Sequence, residues 1–249
     1  MTDALFPRER AEVAPGAVHV PGWLGPARQR ELLDACRGWA RPPAGLRTVR
    51  LPGGGTMTAR QMCLGRHWYP YGYARTAVDG DGAPVKPLPA WLARLARDAV
   101  RDAYGTGGSG ADAPGTPGGS HTAVRDDGTY GIGDEGTYGV ADSGAYDIAL
   151  INYYDVDARM GMHRDSDEKS PAPVVSLSIG DTCVFRFGNT ETRGRPYTDV
   201  ELRSGDLMVF GGPSRLAYHG VPRIHPGTAP PGLGLTGRLN ITLRVSGLD

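Results

Sequence analysis

The 249-residue chain has only three cysteines and four phenylalanines, and it has no long hydrophobic run. Cys36, Cys63 and Cys183 are odd in number and widely spaced, which argues against a disulfide framework and against a paired-cysteine zinc site. No stretch approaches the roughly 18 consecutive apolar residues of a membrane-spanning helix, and the first ten residues are charged. We therefore expect a soluble, cytoplasmic monomer with reduced thiols and no membrane partner.

An excess of charge of either sign is also missing. Lys and Arg together number 27, and so do Asp and Glu. No overall field therefore draws the chain to nucleic acid, and any such binding must come from a local patch. The length suits a single domain over residues 1–249.

Two segments have the apolar spacing of amphipathic helices, Pro26–Ala40 and Pro89–Tyr104, and each begins with a proline suited to a first helical turn. We expect both helices to pack on one face of a sheet. Between them and the C-terminal half, residues 105–145 are rich in Gly, Ser, Thr and Asp. Because this segment has too little apolar mass to offset the entropy of ordering, we interpret it as a flexible insertion.

The C-terminal half has the pattern of strands. Short runs rich in β-branched and aromatic residues end at Gly, Pro or Asp. They span residues 148–154, 174–179, 183–187, 206–210 and 239–245. Several strands at this spacing predict a mainly β fold, a sandwich or jelly roll with flanking helices.

A candidate metal site follows the first of these strands. In an extended chain, residues two apart point to the same side, so His163 and Asp165 should converge. His219, 56 residues after His163, could supply a third ligand from a distant strand. Two imidazoles and one carboxylate leave positions open for O₂ and a co-substrate, as in non-haem Fe(II) oxygenases. Zinc is the rival metal, and a histidine that binds no metal is the plainer alternative.

The last strand alternates strictly between polar and apolar residues. Arg238, Asn240 and Arg244 share its polar face, while the apolar face belongs to the core. Asn152 and Tyr154 form a second polar pair on another strand. Two guanidinium groups with two amides and a phenol could bind a small dicarboxylate, because planar guanidinium donors match carboxylates. A solvated polar face is the alternative reading.

A basic and aromatic segment extends from residue 41 to residue 78. It has no Asp or Glu, and its arginines and aromatic residues are Arg41, Arg47, Arg50, Arg60, Arg66, Arg75, His67, Trp68, Tyr69, Tyr71 and Tyr73. This texture is typical of surfaces that hold phosphates and stack on bases. A surface loop whose aromatic residues pack inward is the alternative.

Several of these segments together resemble the AlkB family of Fe(II)- and 2-oxoglutarate-dependent dioxygenases. The matching segments are Asn152–Tyr154, His163–Glu168, Pro173–Gly180, Phe185–Gly188, Gly211–Gly220 and Arg238–Arg244. The resemblance extends upstream to Pro52–Thr58 and Trp68–Tyr73, which resemble the family's nucleotide-recognition segment. The resemblance implies a double-stranded β-helix, or jelly-roll, core. It also makes residues 41–78 the nucleotide-recognition segment.

By position, the resemblance assigns three groups of residues. The iron ligands would be His163, Asp165 and His219; the 2-oxoglutarate ligands would be Asn152, Tyr154, Arg238, Asn240 and Arg244; the substrate contacts would be Trp68, Tyr73, Asp167 and Arg193. Trp68 would stack on the base, Asp167 would lie near its exocyclic amine, and Tyr73 would reach toward its phosphate. Arg193 or Arg195, in the loop after Gly188, could add a phosphate contact, although this loop differs in spacing from the family's. Arg238 is expected at the far carboxylate of 2-oxoglutarate, although either Arg238 or Arg244 could instead contact the carboxylate nearer the metal.

The activity that the resemblance implies is oxidative dealkylation of 1-methyladenine or 3-methylcytosine in DNA, and of RNA as a further candidate, with formaldehyde, succinate and CO₂ as products. Single strands are favoured, because the alkylated edge is the base-pairing edge. One alternative keeps Fe(II), 2-oxoglutarate and O₂ but changes the substrate to a protein side chain or a small metabolite. Another is a non-catalytic nucleic-acid-binding module.

Overall fold

The computed structural model describes residues 7–105 and 145–249. The insertion predicted at residues 105–145 lies outside the described residues, apart from its first and last positions. No helix in the described ranges is long and apolar enough to cross a membrane.

Most of the regular structure in these ranges is antiparallel β-sheet. The helices are α1 (Pro26–Trp39) and α2 (Ala90–Tyr104). The strands are β1 (Ala11–Ala14), β2 (Ala17–Val20), β3 (Arg47–Arg50), β4 (Thr56–Leu64), β5 (His67–Tyr69), β6 (Gly72–Ala74), β7 (Ile148–Tyr154), β8 (Met160–His163), β9 (Val174–Gly180), β10 (Thr182–Phe187), β11 (Thr198–Leu202), β12 (Leu207–Phe210), β13 (His219–His225) and β14 (Arg238–Arg244).

Two of the sheets face each other. The larger sheet has the order β1-β2-β12-β9-β14-β7-β4-β3 and the smaller has the order β11-β10-β13-β8. Buried side chains from both sheets, including Tyr154, Phe185, Phe187 and Phe210, form one apolar cluster between them. Two antiparallel sheets packed over a shared core confirm the predicted jelly-roll class.

Both predicted helices lie on the outer face of the larger sheet. Leu32 and Leu33 of α1 and Leu92 of α2 share a buried cluster with the outward-facing residues of β4, β7, β9 and β14. The helices meet at Trp39 and Trp91, whose rings stack with centroids 6.0 Å apart. Helix α1 starts at Pro26 as predicted, whereas α2 starts one residue after Pro89.

Strand β14 lies between β9 and β7 and separates the two cores. Its apolar residues Leu239, Ile241 and Leu243 belong to the cluster under the helices. Its polar residues therefore point to the opposite face, into the space between the sheets. Arg238 and Arg244 are both buried there, so the predicted alternation is confirmed and the solvated-face alternative is wrong.

Asp206 ties the N-terminal segment to the larger sheet. Its fully buried carboxylate accepts two hydrogen bonds from Arg8, at 2.6 and 2.8 Å, and one each from the backbone N–H groups of Gly22 and Arg203. His19 Nε2 lies 3.0 Å from Oδ2. Burial acts to raise the pKa of Asp206, but the bonds from His19, Arg8 and the backbone outweigh it and lower the pKa to about 2.

Asp206→Asn is expected to lower the free energy of unfolding by about 2 kcal/mol near neutral pH. Because the folded-state pKa is depressed, this stabilisation is present above the unfolded-state pKa near 4 and is lost as the pH falls through about 2. Denaturant unfolding of both proteins between pH 7 and pH 2 measures it. Asp34→Asn, which breaks an exposed pair with Arg37, should change stability by less than about 0.5 kcal/mol. If the difference in free energy of unfolding between wild type and Asp206→Asn does not narrow toward pH 2, the charge of Asp206 is not the source of the stabilisation.

Candidate active site

The three candidate metal ligands converge at one end of the smaller sheet. His163 is the last residue of β8 and pairs across the ladder with His219, the first residue of β13. Asp165 lies just beyond the end of β8, with Oδ1 3.7 Å from His163 Nε2 and Oδ2 3.7 Å from His219 Nε2. The potential ligand atoms all lie within 4.8 Å of one another. Strand pairing therefore unites residues that are far apart in the sequence, and the group could hold a metal ion.

Backbone carbonyls orient both imidazole rings. His163 Nδ1 lies 3.0 Å from the carbonyl of Gly161, and His219 Nδ1 lies 3.0 Å from that of Ala217. Because a carbonyl only accepts, each Nδ1 carries the hydrogen and each Nε2 is left as the potential ligand atom. Burial is the main cause that lowers the pKa of His219 to about 4, so its ring is neutral near pH 7, as a ligand requires.

Asp165 remains ionised although it is buried. Burial alone would raise its pKa, but Arg244, His219 and His163 outweigh burial and lower the pKa to about 2. Arg244 Nη2 is 2.7 Å from Asp165 Oδ2. The cluster thus combines one carboxylate with two imidazoles, which is the donor set of a non-haem iron site.

The candidate 2-oxoglutarate ligands come from two neighbouring strands. In the pairing of β7 with β14, Tyr154 lies opposite Arg238 and Asn152 lies opposite Asn240. Asn152, Tyr154, Asn240 and Arg244 line the same cavity as His163 and His219. The sheet register therefore places the amide, phenol and guanidinium groups beside the potential metal ligands.

Arg238 is a buried cation that could accept an anionic ligand. Its side chain is 1% exposed. Nε and Nη2 donate to Ser178 Oγ at 3.2 and 2.9 Å, and the guanidinium carbon lies 5.2 Å from the centre of the Tyr154 ring. Within the described ranges, Nη1 has no hydrogen-bond partner and no carboxylate forms an ion pair with this guanidinium. An unpaired buried charge is costly, so this side chain fits the carboxylate of a bound 2-oxoglutarate.

The family comparison agrees with this donor set. A family model described as the 2OG-Fe(II) oxygenase superfamily matches residues 16–244. The chain belongs to this superfamily. Membership implies Fe(II), 2-oxoglutarate and O₂ as the cofactor and co-substrates.

Individual relatives place the chain in the AlkB family. The chain is 31% identical over 247 residues to the DNA N(6)-methyladenine demethylase ALKBH1D of Arabidopsis thaliana, with 93% of this chain and 50% of that protein covered. An AlkB homolog of Caulobacter vibrioides is 51% identical over 90 residues, or 35% of this chain and 39% of that protein. The solved structure of OsALKBH1 has a TM-score of 0.73 and 30% identity, covering 94% of this chain and 99% of that one. The chain thus spans half or less of the length of these two curated relatives.

Three of the predicted substrate residues of this AlkB-family chain lie close together near Arg244, a residue that lines the cavity. Strands β5 and β6 make a separate two-stranded hairpin in which Trp68 pairs with Tyr73. Trp68 Nε1 donates to Asp167 Oδ2 at 2.8 Å, and the Tyr73 hydroxyl donates to Glu168. The structure therefore brings three of the four predicted substrate residues together, and it turns the Tyr73 hydroxyl toward a buried carboxylate. Their roles toward a substrate remain predictions.

Arg193 lies elsewhere, in the exposed loop after β10. Its guanidinium carbon is 5.9 Å from the centre of the Tyr218 ring, and that of Arg164 is 5.2 Å from the same centre. Both side chains belong to exposed residues next to the strands that carry His163 and His219. A phosphate contact by Arg193 stays a prediction.

Glu168 is a central residue of the site that the sequence analysis did not single out. Its carboxylate is fully buried and forms ion pairs with Arg244 at 2.8 Å and Arg215 at 3.1 Å. Burial raises its pKa, but Arg244 and the hydrogen bond from Tyr73 outweigh burial, so the pKa is lowered overall. Arg215 also donates to the Asp165 carbonyl at 2.8 Å. Glu168 therefore joins the hairpin, Arg244 and the metal-ligand segment.

Half of the arginines in the 41–78 segment have partners within the protein. Arg47 forms an ion pair with Asp79, Arg66 donates to the carbonyls of Leu248 and Asp249, and the Arg60 guanidinium carbon lies 5.0 Å from the centre of the Tyr153 ring. The exposed arginines that remain are Arg41, Arg50 and Arg75. The basic character of this segment is therefore smaller than the sequence suggests.

Proposed function

We propose that the chain catalyses Fe(II)- and 2-oxoglutarate-dependent dealkylation of alkylated nucleobases, with 1-methyladenine and 3-methylcytosine in DNA as substrates and RNA as a second candidate. The observation that carries the proposal is the buried guanidinium of Arg238, which has no carboxylate partner within residues 7–105 and 145–249. It lies beside Tyr154, which lines the same cavity as His163 and His219. This pairing of a potential metal site with a cation suits a dicarboxylate co-substrate.

In this proposal, Arg238 holds the far carboxylate of 2-oxoglutarate, and Asn152, Tyr154 and Asn240 line its pocket. Burial raises the pKa of Tyr154 to about 12, so its phenol stays protonated and can donate a hydrogen bond. When bound, iron with O₂ and 2-oxoglutarate supplies the oxidation of the N-alkyl carbon, with succinate, CO₂ and formaldehyde as the products. The protein residues orient the co-substrates and the base.

Nucleic acid is the substrate class that the relatives favour. The Arabidopsis relative is named a DNA demethylase, and a Schizosaccharomyces pombe relative, 39% identical over 66 residues covering 26% of this chain and 22% of that protein, is named a tRNA demethylase. The indole of Trp68 and the carboxylate of Asp167, which are hydrogen-bonded to each other, suit a cationic methylated base. We further propose single strands as the preferred form, because no base pair has to be opened. We also propose a monomer in the cytoplasm, where the three buried free cysteines would stay reduced.

Formaldehyde release tests the proposal and its main alternative. The substrates are single strands that carry 1-methyladenine, 3-methylcytosine or N6-methyladenine, in DNA and RNA, with the matching duplexes and a methyl-lysine peptide. Release from the methylated strands, faster for single strands than for duplexes, is expected. Release from the peptide, with none from any strand, would instead support the protein side chain as substrate.

Asp167→Asn should selectively impair the cationic substrates. In the wild-type protein, Trp68 Nε1 donates to Asp167 at 2.8 Å. The amide oxygen of the variant can still accept this bond, so only the charge is removed. We expect kcat/KM for 1-methyladenine to fall about tenfold, the equivalent of about 1.4 kcal/mol. The kcat/KM for the neutral base N6-methyladenine should change by less than about twofold. Equal losses on both bases would contradict an electrostatic role for Asp167.

A further inference from the structure

The hairpin formed by β5 and β6 depends on side-chain contacts for its position. Its strands have three residues each, and it pairs with neither large sheet. A hairpin of this size is at best marginally stable alone. It is held by the bonds from Trp68 to Asp167 and from Tyr73 to Glu168, whose carboxylate is ion-paired to Arg244 of the cavity lining. The orientation of Trp68 must therefore also depend on the other contacts that hold the hairpin in place.

A second set of contacts comes from the ion-paired group of Arg47, Asp79 and His67. Arg47 of β3 donates from Nε to Asp79 Oδ1 at 2.7 Å and from Nη2 to the carbonyl of Trp68 at 2.5 Å. Its Nη1 lies 3.4 Å from the carbonyl of Gln61 in β4. Asp79 Oδ1 is also 2.5 Å from Nε2 of His67, a residue whose side chain is 3% exposed. One guanidinium thus joins the larger sheet, the backbone of Trp68 and the turn after the hairpin.

The same group reaches the 2-oxoglutarate pocket through one further residue. Gln61 is buried, and its Nε2 donates to Asn152 Oδ1 at 3.2 Å. Arg47 therefore lies between the backbone of Trp68 and strand β4, whose residue Gln61 contacts Asn152. A displacement of Arg47 would move the hairpin relative to the cofactor pocket while the pocket stays anchored in the sheet.

We propose that Arg47 and Asp79 are positioning residues that fix the position of Trp68 beside Asp167 and so determine how well the base is held. Neither residue touches the reacting atoms, and both act through the backbone of the hairpin. The inference rests on the proposed function for its link to the base. The planar fork of arginine is essential, because a lysine ammonium keeps the charge but cannot bond Asp79, Trp68 and Gln61 from fixed positions.

The test compares Arg47→Lys and Asp79→Asn with wild type. Asp81→Asn is the matched control, because it makes the same change of charge in the same turn, where Asp81 accepts bonds from the backbone of Ala44 and Ala83. Steady-state kinetics use a single-stranded DNA oligonucleotide that carries 1-methyladenine. Hydrogen–deuterium exchange of residues 67–74 is measured without substrate, and thermal unfolding is recorded for each protein.

Arg47→Lys and Asp79→Asn are expected to raise KM for the oligonucleotide about tenfold, while kcat and KM for 2-oxoglutarate change by less than about twofold. Exchange of residues 67–74 should accelerate at least about tenfold, with the control at wild-type values. In the double variant with Trp68→Ala, Arg47→Lys should add little to the effect of Trp68→Ala alone, because the two residues act through one contact.

Two results would overturn the inference. One is wild-type exchange in the hairpin together with an unchanged KM for the oligonucleotide. The other is a parallel loss of kcat, 2-oxoglutarate binding and thermal stability, which would make the group a general support of the fold. If the wild-type protein demethylates no strand, the proposed function fails, and the exchange measurement still decides whether Arg47 and Asp79 hold the hairpin.

Discussion

Asp165→Ala is expected to reduce turnover by more than about 100-fold with the fold intact. The change removes the only carboxylate among the three candidate metal ligands. The two oxygens of this carboxylate lie 3.7 Å from the Nε2 atoms of His163 and His219. Even residues that only support metal ligands contribute about 10- to 100-fold to affinity or activity, so a direct ligand should contribute more. Succinate formation and Fe(II) binding under anaerobic conditions measure the effect.

A nearby aspartate supplies the control for this experiment. Asp157 is exposed in the turn before β8, so Asp157→Ala should keep wild-type turnover and iron binding. Near-UV circular dichroism of Asp165→Ala should match that of the wild-type protein. Turnover above about one tenth of the wild-type rate in Asp165→Ala would contradict the assignment of Asp165 as a ligand.

Arg238→Met should weaken 2-oxoglutarate binding by at least about 100-fold and leave the ligand-free protein at least as stable as wild type. The loss of affinity follows because breaking a buried ion pair typically costs about 3–5 kcal/mol. The effect on stability follows because the side chain is 1% exposed and, within the described ranges, has no carboxylate partner. An apolar side chain of similar length removes that unpaired charge.

Isothermal titration with 2-oxoglutarate and thermal unfolding without it measure the two effects. Arg238→Lys keeps the charge but loses the planar fork, so its affinity should lie between those of wild type and Arg238→Met. The exposed Arg223 provides a control, and Arg223→Met should bind 2-oxoglutarate as wild type does. Unchanged affinity in Arg238→Met together with a lower unfolding temperature would make Arg238 a structural residue.

The elements that were predictable from sequence are those with strong periodicity. The apolar residues of helices α1 and α2 recur at helical spacing, and those of strand β14 occupy every second position. Each element has this pattern because it buries one face in the core between the helices and the larger sheet. Three strands of the smaller sheet, β8, β11 and β13, escaped prediction. Strand β8 has four residues, β11 has mostly exposed polar residues, and β13 contains Pro222. Such strands are specified by their neighbours in the sheet more than by their own pattern.

The limits of sequence patterns are clearest in the basic segment. Residues 41–78 contain no acidic residue, yet Asp79, the very next residue, forms the ion pair with Arg47. Glu168 escaped notice for a similar reason, since its partners Tyr73, Arg215 and Arg244 come from three distant parts of the chain. A linear charge pattern can predict a cluster of one sign, but it cannot show which charges are neutralised after folding.

The measurement that tests the central claim most directly is mass spectrometry of a methylated strand after reaction. Fe(II)-loaded protein is mixed anaerobically with 2-oxoglutarate and a single-stranded DNA oligonucleotide that carries 1-methyladenine, and O₂ is then admitted. The proposed function predicts the loss of one methyl mass, dependent on both Fe(II) and 2-oxoglutarate and absent in His219→Ala. Consumption of 2-oxoglutarate with an unchanged strand would contradict it and direct the search to another substrate.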